Sequence, residues 1–556
     1  MEKPQQPPLC KPASAAKISV GHQFSQKTIG IACFVGMLGI STHAYALNKI
    51  QEENAKPGNP EWAQFYKLGQ DGGNPHDLEG YADRDSVNIG GSINFFVNAN
   101  STRNPNYTLT IYRLGWYNGT GARKMTFYVP DPKMWNYWNV KAVTSVSLKS
   151  LTQSLPTPQP STGLIQANWL KSYTLNIPTN WVSGVYVAAL VGNTTQEGQY
   201  VPFVVRDVNR SSDYLFQSST TTWQAYNNWG GKSLYGFNSD NQAARKISFN
   251  RPYANDAGLG SLKGWEINML RFMEREGYDV TYQSNMDTHT SNAGLLNHKA
   301  LLSVGHDEYW SKAIRDNFEY AQKHGVSLGF FGANVGYWQI RMENNNRTIV
   351  GYKDFSATED PLAIDSNTSN NNLVTSRWRD PLWANRPENE LVGIMYAFGP
   401  TGAAEPNETL ITAKSDPTLA GSPSPHWALT GTGLLTGAQF PQLVGYEADR
   451  IFDNGKTPNN LEILAASDMP LTVIDHNSPL SANYDPSHPK SHATVYTKAC
   501  SIWPCKNTVS TVFAAGSLQW VWGLDTAYKF PARTEIPGIQ KITRNILAKM
   551  VGAPLP

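Results

Sequence analysis

The sequence predicts an α/β protein: a doubly wound parallel sheet preceded by an all-β, Ig-like sandwich. Three observations carry that expectation. Period-2 apolar runs fill residues 60–207 without a convincing helix. Strand–helix–strand units begin after residue 208. Polar clusters then recur where the strands of those units end, which is where open parallel sheets bind ligands. With 556 residues, the chain has room for two or three domains.

Residues 1–46 have the pattern of a signal peptide. Lys3, Lys11, Lys17 and Lys27 make a basic start, Ile29–Ile40 carries no charge, and Ala44-Tyr45-Ala46 is an A-x-A cleavage site. An apolar run of 12 residues suits a signal peptide, since a spanning helix takes about 20; an uncleaved anchor is the alternative. Cleavage after Ala46 would leave a secreted or periplasmic chain with no stable membrane span.

Residues 47–207 are expected to form the sandwich. Ile93, Phe95 and Val97 alternate, as do Tyr173, Leu175 and Ile177, and the runs YTLTIYRLGWY (107–117), GVYVAALV (184–191) and QYVPFVVRD (199–207) are strand-like. Residues 208–556 are expected to form the α/β domain, with a glutamine-amidotransferase-like sheet. LKGWEINMLRFMEREG (262–277) places Trp265, Met269, Leu270 and Met273 on one helical face and stops at Gly277. DVTYQ (279–283), KALLSV (299–304) and VSLGFF (326–331) read as strands. Between the last two, Ser311 caps a helix that Gly325 ends. Residues 341–445, rich in Asn, Pro and Gly, read as an insertion. The segment 511–525 and a helix over 537–552 close the domain.

Charge and cysteines bound the function. The leader holds four Lys and one Glu, so 42 basic and 43 acidic residues remain after it, a net charge of −1 that gives no reason to expect nucleic acid. Cys10 and Cys33 leave with the leader. Cys500 and Cys505, five apart in a Pro-containing loop, read as a disulfide in an oxidising compartment.

Several chemistries can be struck out. The P-loop glycine that GGKS (230–233) requires is Tyr226. There is no G-x-S-x-G elbow, no thiol at a strand end for a glutaminase-type nucleophile, and no zinc spacing. The groups left at the strand ends are hard oxygen ligands with His, Asn and Lys, a set that suits an activated water. Each has a bland reading as well. Tyr226 and Tyr235 could stack in an aromatic loop, Glu308 could face a helix dipole, and His289 and His306 could satisfy buried backbone.

The blocks AYNNWGGKSLYGF, SFNRPY, MLRFMEREGYDVTY, SVGHDEYW, FFGANVGYWQIR, TGLLTGAQFPQLVGYEAD and FAAGSLQWVWGLD, in that order, resemble the large subunit of N,N-dimethylformamidase over about 208–556. The resemblance implies a mononuclear Fe³⁺ held by Tyr226, Tyr235 and Glu308, with Tyr253 the rival for the second tyrosine. It also implies that His306 supports the site, that Asn334 donates to substrate oxygen or water, and that Lys353 and Glu447 belong to it, Glu447 as a proton-transfer group. A phenol, with a pKa near 10, ligates well beside a hard cation, which favours Fe³⁺ over Zn²⁺. The implied activity is hydrolysis of a non-peptide C–N bond in a small-molecule amide. The competing reading is an exported carbohydrate-binding or adhesion module with a degenerate hydrolase domain. The sequence leaves a homo-oligomer open.

Overall fold

Alternation decides which face of each early strand is buried, and one of these strands is buried on both. In the computed structural model, Gly184–Gly192 pairs antiparallel with Asn106–Leu114 and with Gly198–Arg206. Tyr186, Ala188 and Leu190 face a core shared with Ile93, Phe95, Leu109 and Phe203. Their neighbours Val185, Val187 and Ala189 face the other way, into a second core with Phe216, Met269 and Tyr282. A strand covered on both sides needs apolar residues at every position, which accounts for the unbroken run GVYVAALV. A smaller sheet of Leu78–Ala82, Ser92–Ala99 and Lys171–Asn176 covers the first face.

The structure describes residues 46–67, 76–131, 140–365, 367–399, 409–412, 426–434, 438–469, 489–527 and 534–556. The expected signal peptide lies outside them, apart from Ala46. Residues 47–556 form one compact unit.

Nine strands make the main sheet: β1 (Ser212–Ser218), β2 (Val280–Ser284), β3 (His298–Val304), β4 (Ser327–Phe331), β5 (Thr409–Thr412), β6 (Gln439–Pro441), β7 (Glu462–Asp468), β8 (Lys490–Ala499) and β9 (Val509–Ala514). Their order is β2-β1-β3-β4-β9-β8-β7-β5-β6. The first five are mutually parallel. From β9 outward every pairing is antiparallel. The main helices are α1 (Thr220–Tyr226), α2 (Ile267–Arg275), α3 (Lys312–Lys323) and α4 (Pro537–Val551).

The expected class, a doubly wound, glutamine-amidotransferase-like parallel sheet behind an Ig-like sandwich, is therefore corrected. Among the described residues the fold is rich in β-structure, its sheets are mixed and antiparallel, and its helices are few. The strand–helix–strand rhythm of 262–331 is a local signal. It does not extend over the whole region, because β9, β8, β7, β5 and β6 pair antiparallel with one another.

A buried ion pair ties α2 to the first part of the chain. Arg113 Nη2 and Nη1 reach Glu274 Oε1 and Oε2 at 2.7 and 2.9 Å, and both side chains are fully buried. Tyr282 Oη and Asn54 Nδ2 donate to the same carboxylate. Removing one partner strands a buried charge. Glu274→Gln is expected to lower stability in urea by about 3–5 kcal/mol, against less than about 1 kcal/mol for Glu276→Gln, whose partner Arg544 is near the surface. Equal effects would show that the buried pair carries no special weight.

Glu53 gives a pH-dependent counterpart. Burial pushes its carboxyl up, but Arg113, Arg123 and Lys56 outweigh that and hold it at about 2, against an ordinary 4.5. A depressed carboxyl stabilises fully above pH 4.5 and loses that contribution as the pH falls toward 2. Glu53→Gln should therefore cost up to about 3 kcal/mol at neutral pH, with the gap from the parent closing in acid. Urea titrations of both proteins across that range check it, and a gap independent of pH would contradict it.

Candidate active site

Three neighbouring parallel strands deliver the site from their carboxyl ends. β1 turns at Ser219 into α1, whose last residue is Tyr226, and Tyr235 follows in the next loop. β3 runs into Gly305, at φ +79°, where a Cβ would lie 2.9 Å from Glu266 Cγ and 3.0 Å from Trp265 O. Only glycine fits so close a passage. β4 leads to Asn334.

Beyond Gly305 the side chains part. Asp307 turns into the scaffold, accepting from Ser303 Oγ at 2.7 Å, Asn285 Nδ2 at 2.9 Å and Gln217 Nε2 at 3.1 Å. His306 and Glu308 go to the site instead. The Glu308 amide donates to Thr222 Oγ1 at 3.0 Å, which joins this segment to α1.

Glu308, 2% exposed, is the centre of the cluster. Tyr226 Oη donates to Oε2 at 2.7 Å. Tyr235 Oη lies 2.7 Å from Oε1 and 2.9 Å from Oε2. The two rings also stack, with centroids 4.3 Å apart, so the stacking and convergence readings hold together. His306 Nε2 sits 3.2 Å from Glu308 Oε2 and 2.8 Å from Glu447 Oε2. Asn334 Nδ2 donates to Glu447 Oε2 at 3.0 Å, and the Asn334 amide donates to Asp449 Oδ1 at 2.8 Å. Among the described residues, the buried Oδ1 of Asn334 has no hydrogen-bond partner. Lys353 Nζ stands 3.3 Å from the Tyr235 ring centroid and donates to Leu234 O at 3.2 Å.

Charge in this buried space is balanced locally. Burial pulls the His306 imidazole down, but Glu447 and Glu308 prevail and hold it up at about 10. Burial would raise Glu308, yet His306 and Lys353 keep it below the usual carboxylate range. Burial lowers Lys353 to about 8 despite Glu308 nearby. Both phenols are pushed far above their ordinary value, first by burial and then by Glu308. Asn334, Lys353 and Tyr446 are held in the left-handed region, at φ 54°, 58° and 41°. For non-glycine residues such strain costs on the order of 1–3 kcal/mol each and gathers at functional sites.

The donor set fits a hard cation. Two phenol oxygens and a carboxylate converge within hydrogen-bond distance, in the place where a shared ion would replace the phenol protons. Among the described residues no group of three or more His, Cys, Asp or Glu is placed to hold a metal.

The seven site residues expected from the sequence, Tyr226, Tyr235, His306, Glu308, Asn334, Lys353 and Glu447, come together. Tyr253 is elsewhere, edge-on to Trp223 with centroids 6.3 Å apart. His289 bonds Ser311 Oγ at 2.7 Å, a structural tie. Thr222 and Asp449 escaped sequence reasoning. Asp449 lies two residues after Glu447, on the short strand Ala448–Arg450, and that spacing was its signal. Cys500 and Cys505 are joined as a disulfide.

Comparison with known proteins gives one family match, to the model described as N,N-dimethylformamidase beta subunit-like, C-terminal, over residues 108–533. The match begins in Asn106–Leu114, a hundred residues before the stretch quoted above, and so takes in the doubly buried strand. No curated protein matches. Among solved structures, a family 123 glycoside hydrolase from Clostridium perfringens aligns at 10% identity and a TM-score of 0.12. The alignment covers 49% of this chain and 52% of that one. So shallow a likeness carries no inference. With 108–533 matched by the family model, the chain belongs to the N,N-dimethylformamidase beta subunit-like family.

Proposed function

We propose that the chain is an iron(III)-dependent hydrolase of a non-peptide amide C–N bond. The observation that carries this reading is the convergence of Tyr226, Tyr235 and Glu308 on one another, in a family named for an amidase. These three residues would hold the ion. When bound, it supplies Lewis acidity toward water and an amide carbonyl.

The chain's own residues supply positioning and proton transfer. His306, protonated, lies between two carboxylates and keeps them together where they would otherwise repel. Glu447 is the base: it takes a proton from the attacking water as that oxygen bonds to the carbonyl carbon. As the C–N bond breaks, the proton passes from Glu447 to the leaving nitrogen. Asn334 is oriented by Glu447 and Asp449, which leaves its carbonyl oxygen to accept from water or substrate N–H. In this reading Asn334 acts as an acceptor, where the resemblance implied a donor to substrate oxygen or water. Lys353 covers the Tyr235 ring and offsets the negative charge of the cluster.

The reading places the enzyme outside the cytoplasm, as a secreted or periplasmic protein. Support comes from the Cys500–Cys505 disulfide, a bond favoured in oxidising compartments. The carbohydrate-binding alternative gives no reason to bury His306, Glu308 and Glu447 together.

Protein purified after growth with iron should contain one iron per chain and absorb visible light through phenolate-to-iron charge transfer. Tyr226→Phe and Tyr235→Phe should each shift and weaken that band, and Glu308→Ala should lose iron and activity together. A folded, colourless, iron-free protein would rule the reading out. Glu447→Gln should keep the colour while kcat falls by roughly 10²–10⁴; unchanged turnover would remove Glu447 from proton transfer.

A further inference from the structure

We propose that the site takes amides whose non-reacting substituent is an aromatic ring, a class larger and flatter than dialkylformamides. This rests on the hydrolase reading above. A cavity of about 270 Å³ opens beside the cluster, with Tyr226 and His306 in its wall. An apolar cavity of roughly 150 Å³ accommodates benzene. The space therefore suits a ring plus the amide it carries, whereas two methyl groups would leave most of it to water.

The wall is built from rings. Trp223 and Tyr253 form one edge-on pair. Trp265 and Tyr446 form a second pair, tilted at 43° with centroids 5.4 Å apart. Trp265 is backed by Trp522, stacked at 5.1 Å and 9°. Tyr446 directly precedes Glu447 and is held at a strained φ of 41°. The backbone that places the base thus also sets a ring at the cavity. Aromatic rings meet favourably edge-to-face or offset, and four of them provide such surfaces for a planar guest.

Three polar groups in the wall already have partners. Trp223 Nε1 donates to the buried Glu266 carboxylate at 2.7 Å. Asn227 Nδ2 donates to Gln224 Oε1 and Pro252 O, and its Oδ1 accepts from the Ala254 amide. Asp256 is paired with Lys263 at 3.4 Å. A sugar needs partners for several hydroxyls and would compete with the partners these three already have; an aryl group needs none.

Two measurements test the assignment. On iron-loaded enzyme, kcat/KM for formanilide should exceed that for N,N-dimethylformamide at least tenfold. On metal-free protein, calorimetry should detect formanilide binding that Trp265→Ala weakens at least tenfold. Tyr253→Leu serves where Trp265→Ala fails to fold. Equal kcat/KM for the two amides, formanilide binding indifferent to both substitutions, or binding of N-acetylglucosamine in its place overturns the substrate class. An enzyme that turns over neither amide yet binds formanilide in a Trp265-dependent way overturns the hydrolase reading and leaves the ring pocket standing.

Discussion

The four residues from Gly305 to Glu308 impose the constraint that the site depends on. A buried carboxylate without partners is costly, and this segment buries two in succession. They are satisfied in opposite directions by separate sets of donors. Asp307 takes donors from β1, from β3 and from the segment after β2, and so locks the ends of three strands together. Glu308, on the other side, takes both phenols and the imidazole. One anchors the scaffold and the other organises the chemistry, and neither position is independent of the other.

Around that segment the fold supplies rigidity. The Gly184–Gly192 sheet is packed on both faces, and the bidentate Arg113–Glu274 pair fastens α2 against it. The family match beginning at residue 108 agrees with this architecture, since the sheet behind β1 and β2 belongs to the same buried mass as the site's foundation. A foundation of this kind can hold Asn334, Lys353 and Tyr446 in the left-handed backbone conformation. Each of the three presents its side chain at or beside the cluster.

His306, Glu308 and Asn334 were legible from the strand pattern, each following a short, strongly apolar strand, whereas Tyr226, Tyr235, Lys353 and Glu447 were legible only through the family resemblance. KALLSV announces His306 and Glu308, and VSLGFF announces Asn334. α1 was not legible, because TTTWQAY is polar, aromatic and β-branched, a poor helix by propensity. It forms because Ser219, Thr221 and Trp223 bond to Val304, Asn285 and Glu266, none of them near in sequence. The overall class was misread for a related reason. Strand direction is decided by pairing partners distant in sequence, and β9 takes the parallel β4 on one side and the antiparallel β8 on the other.

Read alone, the sequence identified the strands around 93–97, 107–117, 184–191, 199–207, 279–283, 299–304 and 326–331, the disulfide loop, the family and the residue types of the site, because periodicity and short motifs are local properties of the chain. Tertiary structure alone decided that the sheet is mixed, that Tyr226 and Tyr235 rather than Tyr253 meet Glu308, and that Asn334 turns its nitrogen to Glu447. These outcomes depend on which distant groups can satisfy a buried charge, and that is settled only when the strands have paired.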